Sequence, residues 1–325
     1  MGIERFNDFS ELPPALRGGV VAIGNFDGVH RGHRIVLDKA LELAAALGKP
    51  ALVLTFEPHP RTVFQPDRPV FRLTPAPLKA ELLAAMGFQA VVEQTFSRDF
   101  ASITADDFVH NILIGGLGVA HVVTGFDFHF GKNRQGGPAF LMAAGDREGF
   151  KVTLVDAFRD EGGSVISSSR IRDCLADADV VSAAGLTGYR YLVAAPVEQG
   201  KQLGRTLGYP TANMRLAPEN RLAQGIYAVR LRRADGTLHD GVASFGRRPT
   251  VDDNGAPLLE TYVFDFASDL YGETCAVSFF GYLRPELKFD GLEPLMRQMK
   301  QDEAEARALM SGVTPFSALD LKVSF

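Results

Sequence analysis

Between residues 20 and about 160, short apolar runs alternate with amphipathic stretches. The runs Val20–Ile23, Ala51–Phe56, Val91–Phe96, Val119–Thr124 and Val152–Val155 read as strands buried on both faces. Helical periodicity fills the gaps. One helix follows His30, with Ile35, Val36, Leu37, Leu41 and Leu43 among its apolar positions. A second covers Pro77–Met86 and stops at Gly87. A third starts at Thr104, has Asp106 and Asp107 in its first turn, and runs towards Leu113. A fourth follows Pro138. Such alternation predicts a Rossmann-like, doubly wound parallel sheet with right-handed crossovers.

The pattern changes at Ala176–Gly188, a stretch of small residues that is either a boundary or a short helix. The expected domains are 1–182 and 183–325. Strands dominate the second: Tyr189–Val197, Thr211–Leu216, Ile226–Arg232, His239–Phe245, Leu258–Phe266 and Glu273–Phe280. An Asp235-Gly236 turn joins two of them as a hairpin. About six antiparallel strands of this spacing predict a small barrel. A closing helix runs from about Gly291 to Met310, opened by a capping-box-like Asp290 and Glu293. Its face of Leu292, Leu295, Met296 and Met299 is expected to cover the barrel. The expected fold class is thus α/β followed by an antiparallel β-barrel with a closing helix.

Composition narrows the partners. The chain has 325 residues, 46% hydrophobic and 22% charged, with formal net charge −5. That suits two ordinary cores and argues against a nucleic-acid coat, while leaving room for a local basic phosphate pocket. Cys174 and Cys275 match no metal or redox spacing, so a reducing cytoplasmic setting is expected. The opening MGIERFNDFSELPP lacks the apolar core of a signal peptide, and no apolar run is long enough for a bilayer. Small-molecule substrates are expected, with no nucleic acid and no membrane; oligomeric state is not legible.

Ligands of open α/β sheets bind at the carboxyl ends of the strands. The motif-rich turns fall there: Gly24–His33, Phe56–Arg61 and Gly125–Gly131. Gly24-Asn25-Phe26-Asp27-Gly28 leads to a helix start, where free N–H groups and the helix dipole favour an anion. His30 and His33 share one face there, and Gly32 leaves backbone open to a flat base. The imidazoles can donate to phosphate oxygens as charge builds. A solvated helix start with two histidines is the plainer alternative, and zinc lacks a completing ligand. A second anion signal is Ile166-Ser167-Ser168-Ser169-Arg170-Ile171-Arg172, in which serines open a helix and Arg172 offers a planar fork.

Together, His30-Arg31-Gly32-His33 and Ile166–Arg172 resemble the paired motifs of the nucleotidyltransferase superfamily. Thr55-Phe56-Glu57-Pro58-His59-Pro60 and Gly125–Gly131 narrow the likeness to the adenylyltransferase half of bifunctional bacterial riboflavin kinase/FAD synthetases. The resemblance implies that His30 and His33 stabilise the α-phosphate of ATP. It places Gly24, Asn25, Phe26, Asp27 and Gly32 around the nucleotide, and Ser168, Ser169 and Arg172 on its phosphates. Phe56, Pro58 and Pro60 would line the isoalloxazine pocket, with Asp127 near the flavin phosphate or metal. Ser169 stands where the family often has threonine and keeps the hydroxyl.

In the second half, Gly200–Asn213 is glycine-rich but is no Walker A loop. If extended, Thr211–Asn213 puts a hydroxyl and an amide oxygen on one side, a pair suited to magnesium shared with a nucleotide. Strict alternation would set Glu260 on one face with Tyr262, Phe264 and Phe266, and its carboxylate can take a proton from an alcohol. An exposed strand glutamate is the plainer alternative. Gly204-Arg205, Pro210-Thr211-Ala212-Asn213, Gly225-Ile226-Tyr227, Ser244–Thr250 and Leu259-Glu260-Thr261 resemble the riboflavin kinase domain, with Pro196 where many relatives have glycine. The resemblance implies that Thr211 and Asn213 bind Mg-ATP, that Gly204 and Arg205 approach the nucleotide, and that Glu260 is the base. The implied sequence is riboflavin to FMN, then FMN to FAD, both with ATP and Mg2+. Rivals are a single-activity adenylyltransferase with another acceptor and a flavin sensor without turnover.

Overall fold

The computed structural model describes residues 2–200, 204, 208–247 and 256–325. Packing divides the chain into two units, Met1–Ser167 and Ser168–Phe325.

The first unit begins with β1 (Glu4–Phe6), an edge strand that hydropathy does not reveal. The fully buried β2 (Val20–Ile23) leads through α1 (Arg31–Leu47) to β3 (Ala51–Glu57). Then come α2 (Pro60–Phe64), α3 (Ala76–Met86) and β4 (Ala90–Thr95). Thr104 caps α4 (Ala105–Asp107), which continues into a π-helical stretch, Phe108–Gly116. The expected simple helix is therefore widened along most of its length. β5 (His121–Gly125), α5 (Pro138–Glu148) and β6 (Lys151–Val155) complete the unit.

All the pairings are parallel, in the order β1-β4-β3-β2-β5-β6. Five of these six strands are legible from hydropathy; β1 makes the sixth. The order reverses between β2 and β5, so the loops after them diverge to opposite faces of the sheet and open a crevice. Leu54, Phe108, Ile112, Leu113 and Leu141 belong to the core, which lies under that sheet.

The second unit starts with α6 (Ser168–Ala176) and α7 (Val180–Thr187). The small-residue stretch is thus a helix rather than a loose boundary. Asp179 caps it, and Gly188 at φ 79° ends it. β7 (Leu192–Glu198), β8 (Thr211–Arg215), β9 (Gly225–Arg232), β10 (Leu238–Gly246), β11 (Leu258–Val263) and β12 (Thr274–Arg284) close into an antiparallel barrel, ordered β10-β11-β8-β7-β12-β9. Met214, Tyr227, Phe245, Leu259 and Phe279 are buried. α8 (Leu292–Met310) and α9 (Ala318–Ser324) follow.

Three details depart from the sequence reading. Gly291, at φ 136°, caps α8 without a side-chain hydrogen bond, so the expected capping box does not form. Leu292 is exposed, and the buried stripe of α8 is Asp302, Ala306 and Met310, spaced four apart. The charge on Asp302 is met by Arg284, whose Nε lies 2.7 Å from it. Third, β11 ends at Val263 and Asp265 adopts φ 55°, which breaks the expected Glu260–Phe266 face beyond Tyr262.

The C-terminal helix is held by a buried ion pair. Asp320 accepts from the Arg190 guanidinium, from Arg190 N–H at 2.9 Å and from Phe316 N–H at 2.9 Å. The guanidinium lies 4.0 Å from the centre of the Phe316 ring. Removing one partner strands a buried charge, so Asp320→Ala should destabilise this unit by roughly 3–5 kcal/mol, read by urea unfolding.

Candidate active sites

The first site is built on the turn after β2. Gly24 N–H donates to Leu54 O at 3.1 Å, which carries the sheet ladder into the turn. Phe26 (φ 47°) and Val29 (φ 34°) are left-handed without being glycine, so other contacts must hold the turn. A Cβ on Gly24 would sit 3.0 Å from the Phe26 ring, so a larger residue there would have to push that ring aside.

His30 caps α1: its Nδ1 accepts from His33 N–H at 3.2 Å. That commits Nδ1 as an acceptor and leaves the neutral ring's proton on Nε2. The His30 and His33 rings stack with centroids 3.6 Å apart, and Phe26 meets His33 edge-on at 5.4 Å. His33 Nδ1 is buried with no hydrogen-bond partner among the described residues. Desolvation, then the charges of His30 and Lys79, push the His33 pKa well below the usual histidine value. His33 is thereby held toward its neutral form beside the stacked His30 ring at the helix start. A Cβ on Gly32 would lie 3.2 Å from the His30 ring and 3.4 Å from Ile166 O, so the glycine lets the ring and the later segment close on the helix. Arg31 pairs with Glu161 and stacks on Phe158.

Beneath the turn lies a buried network that the sequence reading missed. Asp27, 2% exposed, accepts from Thr74 N–H at 3.0 Å and faces Arg72 Nε at 3.5 Å. Thr74 Oγ1 accepts from Gly28 N–H at 2.8 Å. Arg72 grips Glu57 through two bonds of 2.6 and 2.7 Å. Lys79, wholly buried, reaches Glu57 at 2.9 Å, Thr55 Oγ1 at 2.8 Å and Asn25 O at 3.1 Å. Asn25 Oδ1 is buried without a partner among the described residues. The signal was available: Lys79 shares helical phase with the buried Leu82 and Leu83. A lysine on an apolar stripe is an exception that needs a partner.

Across the strand end, Phe56 packs with Phe96 and Phe100 at 5.9 and 6.0 Å. The Glu57-Pro58 bond is cis, and Pro60 opens α2 behind the cap His59. Asp127 lies exposed in the loop after β5. Ser168 and Ser169 open α6, and Arg172 is half-buried one turn on.

The second site lies on the outer wall of the barrel. Register pairs Glu260 with Asn213 on one side and with Ser244 on the other, and Tyr262 with Thr211. Their neighbours Ala212, Met214, Leu259 and Thr261 are buried in the alternate phase. Asn213 is 5% exposed; its Nδ2 donates to Thr211 O at 3.0 Å, and its Oδ1 has no partner among the described residues. A Cβ on Gly200 would come within 2.6 Å of the Asn213 amide, and one on Gly204 within 2.2 Å of Tyr209 O. Both glycines are fixed by close backbone approach. Glu286, absent from the sequence reading, stands 3.4 Å from Ser244 Oγ. Arg205 and the segment 248–250 lie outside the described residues.

A switch-point sheet with histidines at a helix start, followed by a barrel with a strand-borne glutamate, matches two family models. The FAD synthetase model covers residues 12–170 and the riboflavin kinase model residues 187–310. The chain belongs to the family of bifunctional riboflavin kinase/FMN adenylyltransferases. A relative of that name from Pseudomonas fluorescens is 42% identical over 92% of this chain and 95% of its own length. Another, from Listeria monocytogenes, is 38% identical over 90% and 92%. A crystal structure described as a macrolide-efflux protein from Streptococcus pneumoniae superposes with TM-score 0.82 at 30% identity, covering 94% of this chain and 99% of that one. Among the described residues, no helix is long and apolar enough to cross a membrane.

The network makes a pH-dependent contribution. Burial alone would raise the Glu57 pKa, but hydrogen bonds from Arg72 and the charges of Lys79 and Arg72 outweigh it and bring it down to about 2. A carboxyl depressed on folding adds stability above its unfolded pKa, and that gain is lost as pH falls through the folded value. Wild type should therefore exceed Glu57→Gln in urea midpoint at pH 6, with the gap closing between the ordinary value of 4.5 and about 2.

Proposed function

We propose that this chain makes FAD from riboflavin in two ATP-dependent steps, one on each unit's machinery. The observation that carries the reading is the cross-strand set on the barrel: a carboxylate in register with a buried, unpartnered amide oxygen. The N-terminal half adds a helix start with two stacked imidazoles, groups able to donate to a phosphate.

In the first step, Glu260 takes the proton of the ribityl 5′-hydroxyl, and the alkoxide oxygen attacks the γ-phosphorus of ATP; FMN and ADP form. Thr211 and Asn213 hold Mg2+ with the nucleotide. The fit rests on Asn213 Oδ1, a hard oxygen buried with no other partner among the described residues. Magnesium there supplies charge neutralisation on the transferring phosphate. Gly204 and Arg205 border the same nucleotide.

In the second step, an FMN phosphate oxygen attacks the α-phosphorus of ATP; FAD forms and pyrophosphate leaves. No covalent enzyme intermediate is needed. His30 and His33 donate N–H bonds to the α-phosphate as charge develops, His33 from a ring that burial favours in its neutral form. Gly24, Asn25, Phe26, Asp27 and Gly32 shape the nucleotide turn. By resemblance to the family motif, Ser168, Ser169 and Arg172 serve the ATP phosphates of this step, in keeping with a functional division at 182/183, beyond them in the chain. Phe56, Pro58 and Pro60 line the isoalloxazine pocket, and Asp127 serves the flavin phosphate end. The reactions run in the reducing cytoplasm, consistent with Cys174 and Cys275 both being free.

Incubation with riboflavin and Mg-ATP should give FMN first and FAD later, resolved by chromatography; if neither flavin appears, the reading fails. Glu260→Ala should slow FMN formation by about 100-fold or more while leaving FMN-to-FAD conversion intact, and His33→Ala should do the reverse. Loss of both activities in either folded variant would refute the division of labour.

A further inference from the structure

Lys79 has no place in either reaction as described, yet it is wholly buried and its ammonium meets three acceptors. Three protons and three oxygens close its inventory, so the charge is structural and fixed in direction. Two of the acceptors belong to different functional loops. Asn25 O is part of the nucleotide turn, and Glu57 stands immediately before the cis bond that starts the flavin loop. Arg72 adds a second link of the same kind, from Glu57 to Asp27. The turn itself holds two left-handed non-glycine residues and needs outside support to keep that shape.

We propose that Lys79 is a positioning residue for FMN adenylylation, a buried cation that ties the nucleotide turn to the flavin loop so that both present their groups in one geometry. This rests on the reading that the turn 24–28 takes ATP and the loop 56–60 takes the flavin. A link of this type has a distinctive consequence. Cutting it loosens both loops at once, so the two substrates are affected together even though Lys79 touches neither. Lys79 and Glu57 meet in one contact, so their losses must overlap and not multiply, although Glu57 also anchors Arg72.

The test uses the full chain and the variants Lys79→Met, Glu57→Gln and the double variant. Lys79→Met keeps the unbranched chain as far as Cε and leaves Arg72 on Glu57, so the carboxylate stays paired. Riboflavin phosphorylation in the same molecules serves as the internal control and should stay within about twofold of wild type. FMN adenylylation in Lys79→Met should lose about 30-fold or more in kcat/KM, with KM rising for both ATP and FMN. The double variant should be no worse than the worse single one, within about threefold. A rise in KM for ATP alone, or losses that multiply in the double variant, would overturn the link. So would adenylylation within about threefold of wild type in Lys79→Met. Should Lys79→Met fail to fold by circular dichroism, Glu57→Gln is read by the same two-substrate criterion, and a change confined to one substrate overturns the proposal. Wild type that makes no FAD would overturn the functional reading and the link with it; wild type that makes FAD while Lys79→Met matches it overturns the link alone.

Discussion

The hydrogen-bonded position of β2 between β3 and β5 is the constraint from which the first unit's site follows. A strand buried on both faces and paired on both edges has no freedom of register. Its end is therefore a fixed point, and the ladder runs on into Gly24. Reversal of strand order on its two sides sends the neighbouring connections to opposite faces. The turn after β2 is left open at the crevice, with the flavin-side loop after β3 on one flank and the loop after β5 on the other.

Under the proposed scheme the two units handle phosphate by different means. The sheet unit offers nitrogen donors: a helix start and two imidazoles, of which His33 is held toward its neutral form by burial, by His30 and by the Lys79 ammonium. Neutral donors suit a step in which charge grows on oxygen, since they need no proton exchange with water. The barrel unit presents oxygen instead, as a hydroxyl, an amide and a carboxylate on one outer strand pair. Oxygen donors repel a bare polyphosphate, so that wall suits a nucleotide carrying a cation. Each half is thus unsuited to the other's chemistry, although both take the same cosubstrate under the proposed scheme.

Much of this was legible in the sequence, for identifiable reasons. The parallel strands announce themselves because burial on both faces makes them continuous apolar runs. The barrel strands announce themselves by alternation and by the Asp235-Gly236 hairpin. Glu4–Phe6 escaped because a three-residue edge strand is too short to show a pattern: it is held to β4 by its backbone ladder and by the Arg5–Glu93 ion pair. The start of α8 was misread because Asp290 and Glu293 have the right spacing, whereas Gly291 takes the cap at a φ that only glycine adopts freely. On the same helix, Leu292 at the start is exposed and Leu295, Met296 and Met299 are only half-buried, while a charged residue, Asp302, is buried under Arg284. Periodicity cannot distinguish a buried aspartate from an exposed one, because the distinction lies in a partner on another strand. The Glu57–Arg72–Lys79 network sits on three separate segments, so periodicity does not reveal its pairings, even though Lys79 on the apolar stripe of α3 signals that a partner exists.

His30 carries two duties on one ring. Its Nδ1 closes the first turn of α1, while under the proposed scheme the same ring also serves the α-phosphate. Cap and donor cannot be tuned separately, since rotating the ring to improve one bond spoils the other. A helix cap is worth about 1 kcal/mol, or roughly a factor of five in local order. Any rate loss seen on replacing His30 therefore contains a share that belongs to the helix and not to the phosphate. His33, which caps nothing, is the cleaner gauge of what an imidazole contributes at this position.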